Sequence, residues 1–258
     1  MKKFLLLVAL SLSVVLGASP LLAGILIEAQ TSDGDRLTWA CEDGLFRIGM
    51  GEAYTIMDTN NEMTYVVIPK EKIYYASSVE ENQQRMKAMQ EQMKKMQKAL
   101  GAMGKKFGKI FGEKQEIQPP KEKPSKFTHK KTGKKSRIAG YTAEQLIIYE
   151  NGRPVSEVWV SEKLARDLRK SCNVEKLTKM TEATLPEEWQ TSKRKMSALE
   201  MKDFEEFGYP LKEVSYEDNY RVEVIKVEKK PLPKSLFSVP KGYKKASYPS
   251  LQGGFQSW

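Results

Sequence analysis

The chain has 258 residues, of which 40% are hydrophobic and 29% charged, so it is too short for a large multidomain enzyme and too polar for an integral membrane protein. Its single histidine, His129, excludes metal sites that need two or three histidines, such as the HExxH zinc sites. Its two cysteines, Cys41 and Cys172, exclude a four-cysteine zinc or iron–sulfur site within one chain. We therefore expect no metal and no cofactor.

The N-terminus predicts an export signal over residues 1–23. Two lysines at positions 2 and 3 precede an apolar run from Phe4 to Leu16, and a segment rich in small residues follows and ends at Ala23. The apolar run is short for a membrane span. We expect cleavage after Ala23 and a location in a bacterial periplasm; an uncleaved membrane anchor is the alternative.

The positive charge of the protein is concentrated in one internal block. The formal net charge is +10, yet residues 85–135 alone hold 16 Lys and Arg against 4 Asp and Glu, a net of +12. Nucleic-acid-binding proteins usually interleave aromatic residues with basic ones on a folded face. This block contains only three aromatic residues, all phenylalanine, so we expect no nucleic-acid partner.

Outside the block, the sequence predicts about 11 short strands in one antiparallel sheet. Runs of five to seven residues alternate between apolar and polar side chains and are separated by turns such as Glu42-Asp43-Gly44 and Asn151-Gly152. We predict that residues 24–82 and 137–245 are two parts of the same domain, followed by a tail over 246–258. So large a sheet must curl. The candidate inward or interface residues, whose parity within each strand the pattern fixes, are Leu37, Trp39, Phe46, Ile48, Val158, Val160, Val222 and Val224.

A helix over residues 83–112 interrupts the strands and has an unusual composition. Its apolar residues are spaced three and four apart over more than three heptads: Met86, Met89, Met93, Met96, Leu100, Met103, Phe107 and Ile110. Lysines cover the other faces, and glycines weaken its C-terminal half. Methionine suits changing apolar partners and lysine suits anionic lipid headgroups, so the first seven residues of this stripe are candidate ligand-binding residues. The alternative is a mobile arm that packs on the sheet or on a second copy. A flexible basic linker is predicted for residues 113–136.

Two further helices are predicted late in the chain. Residues 161–180 carry Leu164, Leu168 and Cys172 on one face, with Ser161 as the N-cap. Residues 186–207 begin at a proline and end before Gly208. We expect both helices to cover the sheet.

The two cysteines admit two interpretations. Cys41 shares strand parity with Trp39, and Cys172 shares a helix face with Leu168, so the sulfurs meet if that helix packs on that side of the sheet. The alternative is two separately buried thiols, which behave as small hydrophobes.

No pattern of residues indicates catalysis. The sequence contains no GxSxG, Walker A or Rossmann glycine motif. His129 lies in the predicted linker, between Thr128 and Lys130. Adjacent carboxylates such as Glu80-Glu81 are typical of solvated faces. The sequence therefore predicts a protein that is not an enzyme.

Several segments in order resemble a known group of exported bacterial proteins: Tyr54-Thr55-Ile56-Met57-Asp58, Met63-Thr64-Tyr65-Val66-Val67, Ile138-Ala139-Gly140-Tyr141, Glu157-Val158-Trp159-Val160-Ser161, Pro210-Leu211-Lys212-Glu213-Val214 and Leu236-Phe237-Ser238-Val239-Pro240-Lys241-Gly242-Tyr243. The chain resembles a domain-of-unknown-function family that looks related to the outer-membrane lipoprotein carrier and receptor (LolA/LolB-like). The resemblance implies an α+β fold: a curved antiparallel sheet forming a half-open barrel, helices in its concave face, and an apolar cavity for acyl chains. The Met/Lys-rich helical insert is not part of the carrier pattern.

Three classes of function follow. The first is a non-enzymatic periplasmic binding or carrier protein for acyl chains, lipoprotein or another apolar ligand, with contact to an anionic membrane surface. The second is an envelope structural or assembly factor that binds a protein partner through the Met-rich basic helix. The third is an enzyme of unrecognised type. The sequence leaves the oligomeric state open.

Overall fold

A computed structural model describes residues 23–111, 126–184 and 206–248 of the chain. In these ranges the strands are β1 (Gly24–Thr31), β2 (Arg36–Glu42), β3 (Leu45–Met50), β4 (Ala53–Asp58), β5 (Met63–Ile68), β6 (Ile73–Ser78), β7 (Phe127–Ile138), β8 (Tyr141–Glu150), β9 (Arg153–Ser161), β10 (Tyr209–Ser215), β11 (Arg221–Lys230) and β12 (Lys244–Lys245). The helices are α1 (Val79–Phe111), α2 (Glu162–Ser171), α3 (Val174–Thr184) and a short 3-10 helix (Lys234–Phe237).

The strands form one large sheet that does not close. Its order is β12-β6-β5-β4-β3-β2-β1-β11-β10-β9-β8-β7. All neighbouring strands are antiparallel except β12, which runs parallel to β6. The sheet is therefore mixed and has twelve strands rather than about 11. A two-residue strand such as β12 is too short to carry a period-2 pattern, which is why the sequence did not reveal it.

Short turns set the register of the sheet. The predicted turns at Asp43-Gly44 and Asn151-Gly152 have positive φ at both residues, with values of 49° and 77° in the first and 50° and 84° in the second. This is the backbone of the two-residue hairpin turn that Asn-Gly and Asp-Gly favour. A Cβ on Gly44 would also lie 2.8 Å from the Asn60 side chain. The antiparallel meander that these turns predicted is confirmed for β1 to β6.

Helices α2 and α3 pack on one face of the sheet, which we call the helix face. Its core comprises Ile25, Ile27, Ala29, Cys41, Phe46, Ile138, Ala143, Leu164, Leu168, Cys172, Leu177, Leu211 and Val224. Ser161 is the N-cap of α2, as predicted, and its hydroxyl accepts a bond from the Leu164 amide. The single helix predicted over 161–180 is wrong. Cys172 has non-helical φ and ψ of −134° and 46°, and the Asn173 carbonyl and side chain accept the first amides of α3.

Cys41 and Cys172 are joined by a disulfide, with their Cα atoms 5.4 Å apart. Cys41 lies on β2 and Cys172 is the C-cap of α2, and both side chains are fully buried in the core of the helix face. The two cysteines are 131 residues apart in the sequence, so the bond links the N-terminal meander covalently to the later helices.

The segment after β11 packs on the opposite face of the sheet. Leu232 and Phe237 bury there against Ala40, Ile56 and Val67. The Glu42 carboxylate accepts bonds from the amides of Gly24 and Leu232, at 3.2 Å each, and so holds both ends of this region together.

A third apolar cluster contains two of the predicted inward or interface residues, and both are buried. Val158 and Val160 pack with Leu146, Ile148 and Phe207 rather than with the core of the helix face. Trp159 alternates with these two valines along β9 and packs against the core of the helix face. A bulge between Pro210 and Lys212 shifts the β9–β10 register by one residue.

The predicted linker over 113–136 is wrong from Phe127 onward. Residues 127–138 form β7, an edge strand paired with β8, and its lysines are exposed. Charged side chains on an edge strand discourage pairing with other chains, and this composition gives the segment the appearance of a solvated linker. Several segments with predictions lie outside the described ranges: residues 1–22 of the predicted signal, residues 112–125, and most of the predicted helix over 186–207.

The disulfide generates the first prediction. Alkylation of the denatured, non-reduced protein should label no cysteine, and prior reduction should give two labels per chain. Replacing both cysteines by alanine should lower the free energy of unfolding by about 2–4 kcal/mol, as expected for a bond that closes a long loop. Urea denaturation of the variant beside the oxidised and reduced wild type checks this value. Two labels without reduction would contradict the pairing.

Candidate ligand-binding groove

A groove with a cavity volume of about 260 Å³ lies on the helix face, where β1, β2, β3, β10 and β11 meet. Its apolar lining comprises Ile27, Ala29, Leu37, Trp39, Ile48, Tyr209, Leu211, Val222 and Val224, and Thr38, Gly49, Pro210, Lys212 and Glu213 complete the wall. Ligand pockets usually measure ~300–1,000 Å³ and are mostly apolar, so this groove has the character of a small ligand site.

Strand register explains why these side chains meet. Ile27 and Ala29 of β1 pair with Trp39 and Leu37 of β2, and Trp39 pairs in turn with Ile48 of β3. Paired residues in neighbouring strands point to the same face, and alternate residues along each strand do so too. The sequence pattern therefore predicted one wall of the groove directly.

The other wall comes from β10 and β11. Val224 pairs with Ala29 across β1 and β11, whereas Leu211 is the bulge residue of β10. Sequence analysis placed Val222 and Val224 among the inward residues but missed Tyr209 and Leu211. The bulge puts Leu211 on the helix face, and no local sequence signal at Pro210-Leu211-Lys212 revealed it.

Trp39, which lines the groove, lies between two aromatic neighbours. Its ring centroid is 6.0 Å from that of Phe46 and 6.2 Å from that of Tyr209, both in tilted contact. Such tilted pairs add stability beyond their buried area and fix the ring positions. Burial raises the pKa of the Tyr209 phenol to about 12, although part of its side chain is exposed in the groove, so the phenol is neutral at physiological pH.

Two of the residues that line the groove, Lys212 and Glu213, are charged. Lys212 Nζ lies 3.5 Å from a carboxylate oxygen of Glu223, and both side chains are partly exposed. The mouth is apolar at β3, where Ile48 is 41% exposed. The apolar part of a bound ligand would therefore contact hydrocarbon side chains. A polar end of the same ligand would meet water and the paired charges of Lys212 and Glu223.

The lining of the groove contains no histidine or cysteine. In the described part of the chain, no group of three His, Cys, Asp or Glu side chains is placed to hold a metal ion. His129 lies on β7 with its ring 5.0 Å from that of Phe207 and does not line the groove. The arrangement supports binding through burial of apolar surface.

The structure does not bring the predicted methionine residues to the groove. Met86, Met89, Met93 and Met96 lie on α1, which contacts α3 and β6, and none of the four lines the groove. Leu100, Met103 and Phe107 also fall within α1. The side chains of these three residues lie outside what the structure describes.

The first turn of α1 is held by contacts that sequence analysis missed. The Ser78 amide donates to the Glu81 carboxylate at 2.8 Å, and the Glu81 amide donates to the Ser78 hydroxyl at 3.1 Å. This reciprocal pair is a capping box, and its S-x-x-E signature begins the helix at Val79 rather than at 83. The Arg85 guanidinium then lies 3.4 Å from the ring centroid of Tyr248, which contacts Tyr75 of β6.

The fold and the groove define a large open sheet with an apolar binding surface. Residues 105–243 match a family described as "Domain of unknown function (DUF4412)", and because this match spans more than half of the 258 residues, the chain belongs to that family. The expectation of a domain-of-unknown-function family is thereby confirmed. A search of curated proteins finds no match. The match contains β10 and β11 of the groove, whereas β1 to β6 precede it.

Across the described residues, no helix combines the length and the hydropathy needed to span a bilayer.

The buried phenol of Tyr209 in the groove gives the second prediction. In a spectrophotometric alkaline titration, the wild type minus Tyr209→Phe difference should show one tyrosine with a pKa near 12. Because this pKa is raised in the folded state, the contribution of Tyr209 to stability is constant below the ordinary value of 10.0 and is lost as pH rises toward about 12. Tyr209→Phe should remove that step from urea denaturation curves. A difference titration centred near 10 would contradict the placement of Tyr209.

Proposed function

We propose that this chain is a non-enzymatic binding protein for acyl chains or a similar apolar ligand, exported to the periplasm. The observation that carries the proposal is the groove itself: nine apolar or aromatic side chains around about 260 Å³, open to solvent beside Ile48. Its volume is slightly below the usual range for ligand pockets, and its apolar lining suits hydrocarbon.

The disulfide supports the export part of the proposal. Structural disulfides form and persist in oxidising compartments and are rare in the bacterial cytosol. The bond between Cys41 and Cys172 joins two core elements and is fully buried. Such a bond suits the periplasm, in agreement with the signal expected over residues 1–23.

The resemblance to the LolA/LolB-like carriers extends this proposal to lipoprotein acyl chains. We propose that the sheet is a half-open barrel and that its helix face is the concave one. The packing of α2 and α3 on the face that bears the groove supports this arrangement. A groove with an open mouth would allow transfer of a bound acyl chain to a second protein.

A second candidate function, an envelope assembly factor, rests on a different observation. Met93 and Met96 of α1 are 46% and 56% exposed. Exposed apolar side chains in a row are typical of surfaces that bind other proteins. Native mass spectrometry of protein purified from its own host separates the two candidates. Bound fatty acid or lipid favours the carrier, and a stoichiometric envelope protein favours the assembly factor.

The third prediction tests the groove with a matched pair of variants. Ile48→Glu places a carboxylate in the mouth of the groove, so binding of a fluorescent fatty acid should weaken by about tenfold or more, because burying an unpaired charge is costly. The control is Ile225→Glu. Ile225 is 46% exposed, close to the 41% of Ile48, and does not line the groove.

Both variants should keep the melting temperature of the wild type within a few degrees, since each replaces an already exposed side chain. The control should bind the probe like the wild type. If both variants lose affinity for the probe equally, or if Ile48→Glu binds it like the wild type, the groove is rejected as the binding site.

A further inference from the structure

A small cavity lies on the opposite face of the sheet from α2 and α3, beside the segment that follows β11. Its volume is about 120 Å³, and its lining comprises Leu26, Thr38, Ala40, Arg47 and Leu236. The first four residues come from β1, β2 and β3, whereas Leu236 belongs to the short 3-10 helix. The cavity therefore combines three apolar side chains with one hydroxyl and one guanidinium.

Strand register brings the polar members of this lining together. Ala40 of β2 pairs with Leu26 of β1 on one side and with Arg47 of β3 on the other. Thr38 lies two residues before Ala40 and therefore points to the same face. Thr38 also pairs with Gly49, where an added Cβ would lie 2.8 Å from the Thr38 hydroxyl oxygen. The glycine therefore leaves room beside this hydroxyl.

The guanidinium of Arg47 is fixed in orientation but is not neutralised. Its Cζ atom lies 3.8 Å from the ring centroid of Tyr54, so the group stacks on the aromatic face. Its Nε is buried, and no described residue accepts a hydrogen bond from it. In the part of the chain that the structure describes, Arg47 forms no ion pair. Stacking occupies the flat face of a guanidinium and leaves the N–H groups at its edge available to a ligand.

The carboxylates of the neighbouring strands on this face are engaged elsewhere. Glu28, which pairs with Thr38 across β1 and β2, has a carboxylate oxygen 3.4 Å from Lys226 Nζ. The Glu42 carboxylate accepts hydrogen bonds from two backbone amides. An arginine stays charged at physiological pH, and a partly buried charge without a counter-charge is unfavourable. The cavity therefore favours an anion that is not part of the sheet.

The composition of the cavity indicates which kind of anion fits. One guanidinium and one neutral hydroxyl balance a single negative charge, which is the charge of a carboxylate, whereas a phosphate monoester carries almost two. The edge of an arginine matches the two oxygens of a carboxylate. The three apolar residues suit a hydrocarbon substituent. This substituent must be short, because the cavity has the volume of roughly four water molecules.

We propose that this cavity is a binding site for a short-chain carboxylate, whose two oxygens accept hydrogen bonds from Nε–H and a terminal N–H of Arg47. The Thr38 hydroxyl donates to one of these oxygens. The alkyl group of the ligand contacts Leu26, Ala40 and Leu236. This site is separate from the groove on the helix face, so it does not depend on the acyl-chain ligand proposed there.

A titration of the ¹⁵N-labelled mature protein with sodium propionate, at constant ionic strength, tests the proposal by NMR. The Nε–H signal of Arg47, assigned by its loss in Arg47→Gln, should shift and saturate. We expect a dissociation constant of about 1–10 mM, because the ligand has few atoms. Propionamide has the same shape without the charge and should leave the signal in place.

Two variants and a matched control locate the binding through backbone amide shifts of β2 and β3. Arg47→Gln should weaken propionate binding by about tenfold or more, since it removes a charge-assisted bidentate contact. Thr38→Val keeps the shape of the side chain, and loss of the hydroxyl should weaken binding by about fivefold. The control, Arg221→Gln, removes the same charge from an exposed arginine that does not line the cavity, and it should bind like the wild type.

Three results would overturn the proposal. The first is the absence of a saturable shift up to about 100 mM propionate. The second is equal weakening in Arg47→Gln and Arg221→Gln, which would assign the effect to net charge. The third is tighter binding of inorganic phosphate or of propionamide than of propionate. If Arg47→Gln loses the circular dichroism spectrum of the wild type, Thr38→Val decides in its place, and unchanged binding in that variant rejects the site.

Discussion

The pairing of β1 with β11 holds the two parts of the sheet together. β1 lies between β2 and β11, so residues 24–31 hydrogen-bond to residues 221–230 across nearly the whole chain. Along the sheet, β2 to β6 lie on one side of this ladder and β10 to β7 on the other, and the short β12 adds a second link by pairing with β6. The groove depends on the same pairing, because one of its walls comes from β2 and β3 and the other from β10 and β11. The disulfide from β2 to α2 reinforces this long-range closure.

Local patterns predicted those parts of the fold that local forces determine. Alternating apolar residues and Asp-Gly or Asn-Gly turns predicted the meander, and Ser161 predicted the start of α2. The same patterns failed where one residue or one long-range contact decides the outcome. The bulge at Leu211 shifts the β9–β10 register, and Val158 and Val160 are buried in a cluster separate from the core of the helix face. The lysine-rich β7 is a strand because β8 pairs with it.

Part of the lining of the groove could be predicted from the sequence. Leu37, Trp39 and Ile48 line the groove because period-2 alternation fixes which side chains share a face. Tyr209 and Leu211 could not be placed, since a bulge is set by pairing and not by composition. The regular methionine stripe of α1 predicted a ligand site, but its described members Met86, Met89, Met93 and Met96 do not line the groove. A regular apolar stripe indicates that something is buried against it and does not identify the partner.

The central claim is that an acyl chain occupies the groove on the helix face. Photo-crosslinking with a diazirine-bearing fatty acid, followed by peptide mapping, tests this claim most directly. Saturable labelling should fall on peptides that contain Leu37, Trp39 and Ile48 and on those from Tyr209 to Val224, and excess unlabelled fatty acid should compete with it. Labelling confined to α1, or labelling that does not saturate, would contradict the account.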